Sequence, residues 1–201
     1  PRSPLILSSA ASDVYKRQTH DNFVPYSLLQ NDGSGKFENV AGTAGVDHAG
    51  QGMGADFGDF DNDGWLDLYV TNLRGNILYR NRGDGTFEDV TEAYHVGDVG
   101  MSWSTFCADF DLDGMLDIYI AKQSSYTSPP LPNVFYHRLS SRFRVYFPYA
   151  KISSRGSGVG GAAGDFNGDG APDIVVANVP DQHAAGTELF VNNGVQNHWL
   201  K

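Results

Sequence analysis

The nine residues Asp59-Phe60-Asp61-Asn62-Asp63-Gly64-Trp65-Leu66-Asp67 constrain this chain more than any other stretch, because they crowd four carboxylates into a segment that bends at a glycine. The pattern returns at residues 109–117 and again at residues 165–173. Carboxylates held so close repel one another unless a cation or protons lie between them. Calcium takes about six to eight oxygen ligands at roughly 2.3–2.6 Å, and alternating acidic side chains converge on such a point. The expected side-chain ligands of the first loop are Asp59, Asp61, Asp63 and Asp67, with the Trp65 carbonyl as the backbone ligand and Gly64 allowing the turn. The same register selects Asp109, Asp111, Asp113, Asp117 and Met115 in the second loop. In the third it selects Asp165, Asn167, Asp169, Asp173 and Ala171. Three Ca2+ ions are expected, one per loop, with Phe60, Phe110 and Phe166 turned away into apolar packing.

An EF-hand loop opens in the same way, but it needs a bidentate Glu at its twelfth position and a helix on each flank. The twelfth residues here are Val70, Ile120 and Val176. Each loop runs into a β-branched and aromatic stretch, Leu68-Tyr69-Val70, Ile118-Tyr119-Ile120 or Ile174-Val175-Val176, which is strand chemistry. The loops therefore read as hairpin connections between strands rather than as EF-hands or a dockerin.

Around the loops the whole chain repeats. Leu29-Gln30-Asn31-Asp32-Gly33-Ser34-Gly35-Lys36-Phe37-Glu38-Asn39-Val40 matches Tyr79-Arg80-Asn81-Arg82-Gly83-Asp84-Gly85-Thr86-Phe87-Glu88-Asp89-Val90 at an offset of 50, which also carries Val46 to Val96 and Asp59 to Asp109. The step from Asp109 to Asp165 is 56, lengthened by an insert around residues 124–132. A period near fifty with several short strands per unit marks a β-propeller or a comparable array. One unit reads as four strands: residues 54–58, 66–71, 76–81 and 86–90, with a Gly-rich turn at residues 81–85 closing the last hairpin. The expected fold is all-β, a partial β-propeller of four-stranded antiparallel blades. Residues 26–40 give the outer half of one blade; two full blades and most of another follow. A closed propeller takes about four to eight blades, so these belong to a larger domain. The third blade departs from the pattern, with Arg138-Leu139-Ser140-Ser141-Arg142-Phe143 where its neighbour has the Gly-rich turn.

The Asp-rich loop inside a strand pair, followed by Leu78-Tyr79-Arg80-Asn81-Arg82-Gly83-Asp84-Gly85-Thr86-Phe87-Glu88-Asp89-Val90-Thr91, resembles the FG-GAP (integrin-alpha-like, VCBS) repeat proteins over about residues 26–194. Asn197-His198-Trp199-Leu200-Lys201 resembles the opening of the ASPIC/UnbV domain that follows such repeats in proteins of the cartilage-acidic-protein type. The resemblance implies a calcium-stabilised propeller, seven-bladed when complete, extracellular, cell-surface or periplasmic, used for adhesion or recognition of a protein or carbohydrate ligand, and without a reaction of its own. Residues 8–18 resemble one reading frame of an adapter used in DNA library preparation. Residues 1–18 are accordingly set apart as non-native, residues 19–196 are read as the repeats and residues 197–201 as the start of the next domain. On this reading any signal peptide would have preceded the sequence in hand.

Composition fits this organisation. The formal charge is −10; without residues 1–18 the chain holds 11 basic and 23 acidic residues, and the three loops account for 11 of the carboxylates. Nucleic-acid binding wants a basic face and is excluded. No apolar run approaches the roughly twenty residues of a membrane span. The single cysteine, Cys107, lies in the strand before the second loop and forms no internal disulfide.

Other features carry plainer readings. Arg82-Gly83-Asp84 spells an integrin-recognition tripeptide, but it occupies a repeat turn whose counterpart is Asp32-Gly33-Ser34. The Gly-rich residues 158–164 suggest a dinucleotide loop, yet a cation loop and a strand follow instead of a helix. Small residues there suit inner strands crowding a propeller axis. The six histidines show no ligand spacing and read as surface or turn residues, Arg138, Arg142 and Arg144 as a charged outer-strand face, and Tyr69, Phe87 and Phe143 as inter-blade core. The insert at residues 126–132 reads as a solvated loop. The alternative to an interaction module is a propeller carrying a polysaccharide-active enzyme whose active site lies outside these residues; no repeat-breaking set of acidic or His residues that would mark such a site is present here.

Overall fold

The structure is a computed structural model that describes residues 24–123, 132–145, 152, 157–179 and 186–193. The adapter-like residues 1–18, the ASPIC/UnbV-like residues 197–201 and most of the insert fall outside the described residues.

Strands β1 (Val24–Pro25), β2 (Leu29–Asn31) and β3 (Phe37–Asn39) precede a one-turn helix α1 (Ala41–Ala44) and β4 (Ala49–Gly50). The first complete sheet comprises β5 (Gly52–Gly58), β6 (Asp67–Asn72), β7 (Ile77–Asn81) and β8 (Phe87–Asp89), followed by helix α2 (Thr91–Tyr94). The second comprises β9 (Ser102–Ala108), β10 (Asp117–Lys122), β11 (Val134–Leu139) and β12 (Arg142–Val145). Strands β13 (Ser157–Gly164), β14 (Asp173–Val179) and β15 (Thr187–Phe190) make a three-stranded sheet. Each of these three sheets is an antiparallel meander in chain order; β2 pairs with β3 as the outer half of a preceding blade, and β1 pairs with β4. This is the partial propeller that the period of fifty predicts.

The alternation of each strand decides how the sheets stack. Tyr69 and Leu78 point from the first full blade toward the second and meet Ile118, Ile120, Val134, Tyr136 and Phe143. Leu68, Val70, Ile77, Tyr79 and Phe87 point the other way, onto Leu28, Ala41, Ala44 and Val46. Tyr119 and Phe135 repeat the forward role against Ile174 and Val176. Each hydrophobic cluster is thus an interface between neighbouring blades, with the period-two side-chain pattern of strands putting one set on each face. Glycines set the inner spacing: a Cβ on Gly54 would lie 3.1 Å from the Trp103 carbonyl oxygen, and one on Gly161 2.6 Å from the Phe106 ring.

The lengthened third unit can be reconciled residue by residue. Asp67 and Asn81 are 14 residues apart, whereas Asp117 and Arg138 are 21 apart, and the same hydrogen bond joins each pair. The next turn is one residue shorter: Ser140 and Ser141 alone close β11 onto β12, with Leu139 opposite Arg142. The net gain is the six residues by which the step of 56 exceeds 50. It also aligns Val96 with Ile152, whose carbonyls accept the Tyr69 and Tyr119 hydroxyls at 2.7 and 2.8 Å.

Two expectations are corrected. Phe60 and Phe110 are buried, at 2 % and 1 % exposure, but Phe166 is 73 % exposed, since no described residue packs on the forward face of the last sheet. Arg138 is not on an outer face: it is 3 % exposed, its guanidinium 4.8 Å over the Tyr94 ring and 5.0 Å over Phe143. Arg142 and Arg144 are exposed on the edge strand as expected.

Candidate metal centres

All three acidic loops join the first and second strands of a blade, β5 to β6, β9 to β10 and β13 to β14, and no helix flanks any of them. The first aspartate of each loop organises the bend. Asp59 accepts the backbone N–H groups of Asp63 (3.0 Å) and Gly64 (2.9 Å). Asp109 does the same for Asp113 and Gly114, and Asp165 for Gly168, Asp169 and Gly170. The fifth residue then accepts from the seventh: Asp63 from Trp65, Asp113 from Met115, Asp169 from Ala171. Gly64, Gly114 and Gly170 take φ of 89°, 87° and 91°, a left-handed conformation that costs glycine little.

The last aspartate does something the spacing did not disclose. Asp67 accepts the Phe60 N–H at 3.0 Å with one oxygen and the Asn81 N–H at 2.8 Å with the other. Asp117 holds Phe110 and Arg138 in the same way, and Asp173 holds Phe166 and Asn192. All three are buried. This carboxylate fastens the start of the loop to the third strand, and lone pairs remain on its oxygens for a further ligand.

Ligand atoms converge differently in the three loops. In the first, Asp59, Asp61 and Asp67 each offer an oxygen, all within 4.8 Å of one another. In the second the converging set is Asp111, Asp113 and His137. The third, with Asn167 in place of an aspartate, forms no such group among the described residues. His137 corrects the reading of the histidines as surface or turn residues: it is largely buried in β11, and its Nε2 lies 2.8 Å from Asp111 Oδ2. No local spacing marks it, because 26 residues separate the two. His95, by contrast, is exposed at a helix end with φ 56°, a turn residue as read.

Burial and mutual repulsion act on these groups. Burial first, then the neighbouring Asp63 and Asp59, pushes the Asp61 carboxyl up. Burial pushes Asp67 up to about 6 and Asp117 up to about 8, against the backbone N–H groups that favour their ionised forms. The Asp111 Oδ1 atom is buried without a hydrogen-bond partner. Hard oxygen donors, crowded carboxylates and an unsatisfied buried oxygen are the chemistry a divalent cation would complete, so the residues fit one.

The loops also join one blade to the next. Arg138 Nε, from the third strand of its sheet, donates to the Phe60 carbonyl at 3.1 Å, and Asn192 Nδ2, two residues past the third strand of the last sheet, to the Phe110 carbonyl at 2.8 Å, each reaching into the loop of the preceding blade. Asn62 Nδ2 donates to the Gly114 carbonyl at 3.0 Å, loop to loop.

The family profile of the FG-GAP-like repeat matches residues 13–70 and 59–120, together more than half of the chain. The chain belongs to the FG-GAP-like repeat family. Among curated relatives of this FG-GAP-like chain are the proteins named Cartilage acidic protein 1 of Xenopus tropicalis, Mus musculus and Homo sapiens, 28 %, 29 % and 30 % identical over 206 aligned positions. The alignments cover 98 % of this chain but only 31 %, 31 % and 30 % of those proteins, so the chain spans less than a third of their length. Among the described residues no helix is long and apolar enough to cross a membrane.

The remaining FG-GAP features keep their plainer readings. In Arg82-Gly83-Asp84, the Asp84 carboxylate is engaged by the Thr86 N–H and hydroxyl, as Asp32 is by Ser34, and a Cβ on Gly83 would lie 2.7 Å from the Trp65 indole nitrogen. The tripeptide is part of the turn's own structure.

Proposed function

We propose that each loop holds one calcium ion and that the chain is part of an extracellular, non-enzymatic propeller used for adhesion or recognition of a protein or carbohydrate. The observation that carries this reading is the convergence of Asp59, Asp61 and Asp67 oxygens within 4.8 Å at the strand-one to strand-two hairpin, a position where acidic loops recur in two further sheets. Asp59, Asp61, Asp63 and Asp67 with the Trp65 carbonyl would hold the first ion, residues 109, 111, 113, 115 and 117 the second, and residues 165, 167, 169, 171 and 173 the third. A bound cation neutralises the crowded carboxylates and adds electrostatic bonds across a bend that already joins neighbouring blades. The repeated polar chemistry is ligation, with no nucleophile and base set beside it among the described residues. Extracellular calcium is abundant enough for the weak sites typical of such modules.

Isothermal titration of the chelated chain with calcium is expected to give three ions bound, and thermal melting to rise when calcium replaces chelator. Asp61→Asn and Asp111→Asn should each remove one ion. Identical melting with calcium and with excess chelator would reject the reading.

A further inference from the structure

Asp67, Asp117 and Asp173 each accept one backbone N–H from the third-strand side of their sheet, from Asn81, Arg138 and Asn192. Those three residues therefore share one repeat position, and the residues just before them, Arg80, His137 and Val191, share the next. Of these, histidine alone ligates metals readily. Arg80 pairs with Glu88 at 2.8 Å and Val191 is exposed, whereas His137 is 12 % exposed and sets its Nε2 2.8 Å from Asp111 Oδ2.

The third residue of the loop answers this change. Asp61 and Asn167 turn into their own loops, each accepting the N–H two residues on, at 3.3 and 3.0 Å. Asp111 turns to His137 instead; its side chain is 11 % exposed, and its Oδ1 is buried without a hydrogen-bond partner. The point of convergence moves with it. The first loop gathers oxygens of Asp59, Asp61 and Asp67, its first, third and last acidic residues, whereas the second gathers Asp111 and Asp113 with the imidazole of His137, all within 4.8 Å. A buried carboxylate oxygen costs free energy until its lone pairs are used. Asp113 is exposed, which gives an ion a way in.

We infer that the second loop, unlike the first, takes a d-block divalent cation of the zinc class in preference to calcium, bound by His137 Nε2 and the carboxylates of Asp111 and Asp113. This rests on the reading of the loops as cation sites and names the class of ion for one of them. Calcium takes oxygen ligands, six to eight of them, so an imidazole in the set spends a coordination direction on a poor donor. Zinc accepts imidazole and carboxylate together, and three protein ligands with a water complete its shell. Zinc ligands at roughly 2.0–2.2 Å stand about 3.4 Å apart in a tetrahedron. That spacing lies between the 2.8 Å of the His137–Asp111 pair and the 4.8 Å that bounds the set. The ion takes the place of the hydrogen shared by His137 and Asp111, so the contact between them is the metal-free form of the site. In calcium alone the loop fills through its own oxygens, and zinc displaces that calcium.

The test adds zinc to the calcium-saturated full chain, followed by equilibrium dialysis and elemental analysis. One zinc is expected to be kept per chain and one calcium released. His137→Gln, whose amide can still hydrogen-bond to Asp111, should weaken zinc binding by about tenfold or more while leaving the calcium count unchanged. X-ray absorption at the zinc edge of the parent chain needs no variant and should show a single imidazole among oxygen ligands. The inference is overturned if no zinc is kept in calcium, if zinc binds without releasing calcium, if His137→Gln keeps zinc as tightly, which would put the ion on another histidine, or if the zinc shell holds no imidazole. Zinc bound through His137 with no calcium taken up by any loop would reject the calcium reading alone. Three calcium ions bound with zinc excluded would reject this inference alone, so the two fail separately.

Discussion

Leu112 offers a measurement of what the loop geometry costs. The fourth position of each loop is left-handed: Asn62 at φ 59°, Leu112 at φ 57° and Gly168 at φ 73°. That conformation costs an L-residue about 1–2 kcal/mol, less for Asn and almost nothing for Gly. Leu112 is 40 % exposed, so its partial burial returns on the order of 1 kcal/mol. The two effects are of similar size, and three substitutions separate them. Leu112→Ala keeps the Cβ and forfeits the burial, and should destabilise by about 1 kcal/mol. Leu112→Gly forfeits the burial and relieves the strain, and should lie close to the parent. Leu112→Asn relieves most of the strain and can donate to the carbonyl of Gly170, as Asn62 donates to that of Gly114, for a net gain of about 1 kcal/mol. In a chain of this size that is roughly 2–4 °C of melting temperature. Calcium-saturated protein followed by circular dichroism gives the order Asn, parent near Gly, then Ala. If Gly and Ala melt together, the left-handed backbone carries no penalty and the reasoning is wrong.

The pH dependence of the chelated protein has a definite sign. Asp117 is raised to about 8 and Asp67 to about 6, both above the unfolded value near 4. The folded state therefore binds more protons, and stability falls as pH rises from about 4 to 8. Chelated protein should melt higher at pH 5 than at pH 8, while added calcium, which needs ionised carboxylates, should raise melting more at pH 8; a chelated melting temperature that climbs over this range refutes the assignment. Lys122 is 3 % exposed, with its Nζ 2.6 Å from Asp98 Oδ2 and 2.8 Å from the Val99 carbonyl. Lys122→Met should cost about 3 kcal/mol by stranding Asp98, and adding Asp98→Asn should recover part of it; urea titration showing no loss in the single variant would mean the pair contributes nothing.

What could be read from the sequence and what could not divide along a physical line. The loops, the strands after them and the interface roles of Tyr69, Phe87 and Phe143 follow from short-range pattern, and repetition made that pattern visible. The helical turns α1 and α2 carry no side-chain cap at Val40 or Val90 to announce them; the local signal is the Asx turn just before each, in which Asn39 and Asp89 accept the N–H two residues on, at Ala41 and Thr91. Val46 and Val96, matched at the offset of 50, are the buried residues that follow these turns. Arg138 and His137 could not be placed, because seven extra residues before β11 and one fewer after it hide their alignment with Asn81 and Arg80. Phe166 matched its siblings in sequence yet is exposed, since its burial would depend on a neighbouring sheet rather than on its own loop.

The last aspartate of each loop shows why the cation sites and the fold cannot be separated. Asp67, Asp117 and Asp173 read as ligands from spacing alone, and in the folded chain each spans the first residue after the loop's opening aspartate and a residue at the third strand. From the position that pairs with this aspartate, at or just past the third strand, Arg138 and Asn192 reach back to the loop carbonyl of the blade before. A change in charge at one loop is thus felt at two sheets. If the loops load with calcium, removing one ion should loosen a blade and its successor together, so that amide exchange rises across β10, β11, β14 and β15 when Asp111→Asn empties the second loop, and not across β10 and β11 alone.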